Sequence, residues 1–167
     1  APLAPLLAAQ MEGRQVDEGR LLSGLDFWRG RAEIVVVEGA GGLLSPLSDR
    51  LLNADLARQM GFPLIVVCRR GLGAINQALL TVDAARHRGL KVAAVILNQG
   101  AIPESTVLST DPSLASNADQ LRHWLPQTPV VETRYALDGD LRNDPAFLTI
   151  QWRELMSGQA NAAAREN

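Results

Sequence analysis

With 167 residues, 47% of them hydrophobic, the chain can bury the core of one ordinary globular domain, which excludes a disordered tail or a disulfide-held miniature. Sixteen basic against eighteen acidic residues leave a formal charge of −2 and no basic stripe, which argues against a nucleic-acid partner. A single cysteine, Cys68, and the lack of any apolar run of bilayer length predict a soluble, cytoplasmic protein with no internal disulfide and no membrane partner.

The opening APLAPLLAAQ lacks the charged start of a signal peptide and passes into the polar stretch EGRQVDEGR, so it reads as a loop entering a helix. Its first residue, Ala1 rather than Met, admits a processed product or a fragment. Three short apolar runs, Ala32 to Val37, Pro63 to Cys68 and Lys91 to Leu97, are rich in β-branched residues and bounded by Gly or Pro. Unbroken runs of this kind suit strands buried on both faces of a parallel sheet.

Between them lie helical segments. Asn53 to Met60 starts on a good N-cap residue and stops at Gly61, with Pro63 just beyond. In Ala74 to Arg88 the apolar positions Ile75, Ala78, Leu79, Val82 and Ala85 recur at helical spacing, with Arg86, His87 and Arg88 in the last turn and Gly89 as terminator. A further helix is expected from about Ser116 to Leu125, and Pro129 to Thr133 reads as a last strand. The alternation predicts one α/β domain over residues 1–150, a mostly parallel sheet with helices on both faces, with ligands at the carboxyl ends of its strands. The polar, Ala-rich residues 151–167 read as a tail, frayed or disordered.

Three places at those strand ends could carry chemistry. In EIVVVEGAGGLLSPL an apolar strand delivers Glu38 into the turn Gly39, Ala40, Gly41, Gly42. A carboxylate there could hold Mg²⁺, and glycines let a ligand approach the backbone; the plainer reading is a solvated strand end and an ordinary turn. After the next strand, Gly71 and Gly73 precede a helix whose first N–H groups could take a carboxylate or phosphate, with Arg69 and Arg70 adding charge, or the glycines make only a tight turn. Asn98 could read a purine with its amide, or simply end a strand. Cys68 reads as a small core residue, and His87 as a helix C-terminal residue. No Cys/His metal spacing and no Gly-x-Ser-x-Gly occurs, so hydrolase triad chemistry has no support.

Taken in order, VEGAGGLLSPLSD, NADLARQMG, PLIVVCRRGLGAINQALLT and GLKVAAVILNQ resemble the dethiobiotin synthetase family, and with the opening segment the resemblance runs from Ala1 to about Val131. It implies a P-loop NTPase-like (Rossmann-like) sheet and an ATP- and Mg²⁺-dependent ligase that closes the ureido ring of dethiobiotin from 7,8-diaminononanoate and CO₂ in biotin biosynthesis. In that chemistry a carbamate of the substrate attacks the γ-phosphate of ATP, and the second amine closes the ring with loss of phosphate, which needs aligned reactants and neutralised charge. The resemblance makes Glu38 a catalytic Mg²⁺ ligand and Gly39, Ala40, Gly41 and Gly42 the lining of the diamine and phosphate site. It makes Gly73, Ala74, Ile75 and Asn76 the helix start that binds the substrate carboxylate across a homodimer, and Asn98 the reader of adenine.

The chain departs from the family: it contains no GxxxxGK[ST], its one lysine, Lys91, stands at the amino end of a strand, and the family's first strand, P-loop, second lysine and an aspartate metal ligand lie upstream of what matches. It therefore resembles a C-terminal portion truncated before its phosphate cradle, expected to be inactive alone and to stick through an unpaired sheet edge. Other readings are another P-loop enzyme, such as a cobyrinate amidase-like amidotransferase, or a non-catalytic binding or dimerisation module.

Overall fold

The computed structural model describes residues 3–100, 113–133, 135, 144–148 and 150–157. These divide into two compact units, the first running to Phe62 with Arg88–Leu90, the second comprising Pro63–His87 and the chain from Lys91.

The first unit contains three helices. Helix α1 (Pro5–Met11) begins with Pro5, whose fixed φ and missing N–H suit the first helical turn, so most of the apolar opening is helix rather than the loop its sequence suggested. Helix α2 (Glu18–Trp28), for which the sequence reading has a helix after the opening but no bounds, is capped by Asp17, whose carboxylate accepts from the Arg20 N–H at 2.9 Å. Helix α3 (Asn53–Met60) has the predicted bounds and closes on Gly61 in the left-handed conformation, φ +72°. Its N-cap, however, is Leu52; the Asp55 carboxylate accepts from the Leu52 N–H at 3.0 Å, and the side chain of Asn53 is engaged elsewhere. Helix α2 packs on α3, and the Ser48 hydroxyl, which donates to Glu18, also accepts from the N–H groups of Arg50 and Leu51.

The expected strand over Ala32 to Val37 does not form; these residues have no regular secondary structure. Ile34, Val36 and Val37 are exposed, Val36 at 85%. Apolar, β-branched sequence favours extended backbone, but a strand exists only when a neighbour pairs its N–H and C=O groups. Among the described residues nothing pairs with this run, and outside the three-stranded sheet the one bridge is Pro46 to Leu52.

The second unit is the α/β sheet. Strands β1 (Leu64–Arg69), β2 (Val92–Asn98) and β3 (Val130–Thr133) are parallel, in the order β1-β2-β3, with Val66 opposite Val95 and Asn98 opposite Thr133. Helix α4 (Ala74–His87) lies against β1 and β2, and α5 (Ser113–Trp124), which starts three residues earlier than expected, lies against β3 and α4. The short helices α6 (Pro145–Leu148) and α7 (Trp152–Ser157) lie against β3 and β2. Residues 151–157 of the expected tail thus include a helix, and the remainder of it falls outside the described residues.

The core of this unit joins Val66, Cys68, Val95, Leu97 and Val130 of the strands to Ala74, Ala78 and Val82 of α4 and to Ala118 and Leu121 of α5. Small residues on α4 let the helix sit close to the sheet, which is why its alanines are the buried positions. Burial pushes the Cys68 thiol above its ordinary pKa, as the core reading of that residue requires. At β1 the opposite face is open, with Ile65 and Val67 exposed.

Candidate functional site

Chemistry-bearing residues gather in each unit around a loop that a buried side chain holds in shape. In the first unit Glu38 is exposed and, among the described residues, makes no hydrogen bond or ion pair. The glycine turn that follows it is not loose. Both hydrogens of the Asn53 amide nitrogen are spent on it, one on the Ala40 carbonyl and one on the Gly42 carbonyl, each at 2.9 Å. The Ser45 hydroxyl accepts from the Gly42 N–H at 2.9 Å, and the Ser45 N–H returns to the Gly42 carbonyl at 2.9 Å. Gly41 sits at φ +84°, and a Cβ there would meet Ser45 Oγ at 2.7 Å, so no other residue fits. At Gly39 a Cβ would press on the Asn53 carboxamide at 3.3 Å.

Glu38 offers one exposed carboxylate, and the Ala40 and Gly42 carbonyls of the turn beside it are held by Asn53; among the described residues no group of three or more His, Cys, Asp or Glu comes together. A single carboxylate is compatible with Mg²⁺, which keeps much of its water and is held by one or two carboxylates with substrate phosphates.

In the second unit the loop after β1 carries Gly71 to Gly73 into α4. The Gly71 carbonyl accepts from the Ala74 N–H at 3.1 Å and from the Asn117 amide of α5 at 2.8 Å, and Asn117 is 2% exposed. Gly73, at φ +88°, caps the helix and accepts from the Gln77 N–H at 3.0 Å. The N–H groups of Ile75 and Asn76 have no acceptor among the described residues, so this helix start offers donors to an anion.

Arg70 does not add its charge there, contrary to the expectation. Its guanidinium pairs with Glu132 at 3.0 Å and donates to Gln99 Oε1 at 3.1 Å and to the Leu114 carbonyl at 2.8 Å. It is a staple between the ends of the three strands, and only Arg69 remains exposed beside the loop. Asn98, exposed at the end of β2, receives a hydrogen bond from the Thr133 hydroxyl on Oδ1 at 2.8 Å, which fixes the plane of its amide. Of the predicted site residues, Glu38 and Gly39 to Gly42 therefore share the first unit, and Gly73 to Asn76 share the second with Asn98.

Asn53, Ser45, Asn117 and Thr133 were not singled out as site residues from sequence. Asn53, Asn117 and Thr133 act across 11 to 46 positions, where nothing local in the sequence marks the partner, and Ser45 acts on Gly42 three residues before it.

Residues 1–131 match the model of the family described as AAA domain. The chain is 41% identical over 138 residues to an ATP-dependent dethiobiotin synthetase BioD of Anaeromyxobacter sp., a match covering 83% of this chain and 59% of the relative. It is 45% identical over 130 residues to the protein so named in Anaeromyxobacter dehalogenans, covering 78% of this chain and 56% of the relative. To the one in Corynebacterium diphtheriae it is 44% identical over 115 residues, 68% of this chain and 51% of the relative. The chain thus spans a little over half the length of these curated relatives.

Proposed function

The chain belongs to the dethiobiotin synthetase family of AAA domain proteins, and on that premise we propose that it forms part of an ATP- and Mg²⁺-dependent ligase that closes the ureido ring of dethiobiotin from 7,8-diaminononanoate and CO₂. The observation that carries the reading is the exposed Glu38 carboxylate, unpaired among the described residues, standing at the entry of a glycine turn whose shape Asn53 and Ser45 fix.

In this reading Glu38 holds Mg²⁺, and Gly39 to Gly42 line the diamine and phosphate site. The helix start Gly73 to Asn76 takes the substrate carboxylate, serving the partner's site in a homodimer, and Asn98 reads the adenine with an amide that Thr133 keeps oriented. ATP, when bound, supplies the phosphoryl group that turns a carbamate oxygen into a leaving group. The chain's own part is to hold the reacting groups in line and to place positive or hydrogen-bonding groups where charge builds. Because the 167 residues contain no GxxxxGK[ST], we read them as lacking turnover by themselves.

The test is chemical. The protein carrying this sequence, purified from its own cells, should form dethiobiotin from diaminononanoate, bicarbonate and MgATP with one phosphate released per ring closed. Phosphate release with other carboxylic acids and ammonia or glutamine, and none with diaminononanoate, would replace the ligase by an amidotransferase.

A further inference from the structure

The turn after Glu38 has a direction. In a trans peptide the C=O and N–H groups point opposite ways, and no cis bond occurs among the described residues. The Ala40 carbonyl points at the Asn53 amide, so the Gly41 N–H of the same peptide points away from it. The Gly42 carbonyl is held by the same nitrogen, so the Leu43 N–H also points away. Neither N–H meets an acceptor among the described residues. Asn53 is 8% exposed and stands on the first turn of α3, so its side chain has little room to turn.

We propose that Asn53 is the positioning residue that makes this turn an anion site: by drawing the Ala40 and Gly42 carbonyls inward it presents the Gly41 and Leu43 N–H groups to a phosphate oxygen rather than presenting carbonyls to an ammonium group. This deepens the reading above, in which the turn lines both the diamine and the phosphates, by assigning it to the phosphate. A bare anion is repelled by Glu38 one residue before the turn, so Mg²⁺ and phosphate should bind there together. A side chain lacking the two hydrogens frees the carbonyls to rotate outward. An aspartate in its place repels them while ionised and recovers one donor when protonated.

The test needs no turnover. In the 167-residue chain, titration with inorganic phosphate in the presence of Mg²⁺ should move the Gly41 and Leu43 amide resonances saturably. Asn53→Ala and Asn53→Asp should weaken that response by about tenfold. The Asn76 amide, in the other unit, should respond alike in all three proteins. Asn53→Gln, which keeps both amide hydrogens, should retain part of the response, which simple loss of packing does not produce. The size-matched aspartate also keeps the test available if the alanine variant unfolds. Unmoved Gly41 and Leu43 resonances in the unmodified chain, or equal responses in the folded variants, would overturn the proposal. Dethiobiotin synthesis by the whole protein alongside such a result would leave the ligase reading standing, whereas the predicted response without synthesis would remove the ligase reading and keep the anion site.

Discussion

Glu38→Gln, made in the protein that carries this sequence, is expected to lower the rate of dethiobiotin formation by about 10²-fold or more, the scale on which a preorganised charge at a reacting centre contributes. The exchange keeps the size of the side chain and removes the charge that would hold Mg²⁺. Stability supplies the control. Glu38 is exposed and unpaired among the described residues, so its replacement should change the unfolding free energy by no more than about 0.5 kcal/mol. Steady-state rates across a range of Mg²⁺ concentrations, beside a thermal melt, would read both quantities. A Glu38→Gln protein with unchanged rate and unchanged Mg²⁺ dependence would remove this carboxylate from the mechanism.

Leu121→Ala is expected to have the largest effect on stability. Leu121 is fully buried on α5 and packs in the cluster that joins Val95 and Leu97 of β2 to Ala78 and Val82 of α4. Truncating it removes apolar burial and leaves a cavity that close-packed neighbours fill only in part, at a cost of about 2–5 kcal/mol. Leu80, on the same layer of helices but 61% exposed, gives the comparison: Leu80→Ala should stay within about 0.5 kcal/mol of the parent. Urea unfolding followed by helical circular dichroism would measure both. Equal midpoints for the two variants would contradict the assignment of this core.

The sheet was readable because its strands are buried runs of Val, Ile and Leu and its helices carry a 3.6-residue period, so β1, α4, β2 and β3 stand within a residue or two of their expected places. The same signal failed at Ala32 to Val37. Composition there is as strand-like as at Leu64 to Cys68, but pairing is a property of neighbours, and none of the described residues supplies one. The opening reads as a loop in sequence, whereas Pro5 stands at the first helical position, where its fixed φ and missing N–H suit a helix start.

For the candidate site, Glu38 and its glycines were visible because three glycines in four residues after a carboxylate are uncommon in an ordinary turn. What shapes that turn was not visible. Asn53 read as a helix cap, a role its residue type suits, and instead reaches back 11 and 13 positions to two carbonyls. Arg70 read as a free cation beside a helix start, and instead is held by Glu132, 62 positions later in the chain, together with Gln99 and the Leu114 carbonyl. Both errors have one cause: a polar side chain is assigned by its partner, and these partners are brought near only by folding.

The proposed ring-closing ligase needs the Glu38 turn as its metal and phosphate surface. A crystal structure of the protein carrying this sequence with Mg²⁺, a non-hydrolysable ATP analogue and diaminononanoate tests it most directly. A Glu38 carboxylate oxygen is expected about 2.0–2.1 Å from Mg²⁺, with a phosphate oxygen within hydrogen-bond reach of the Gly41 N–H. A structure in which metal and phosphates are bound elsewhere, with Glu38 left in solvent, would contradict it.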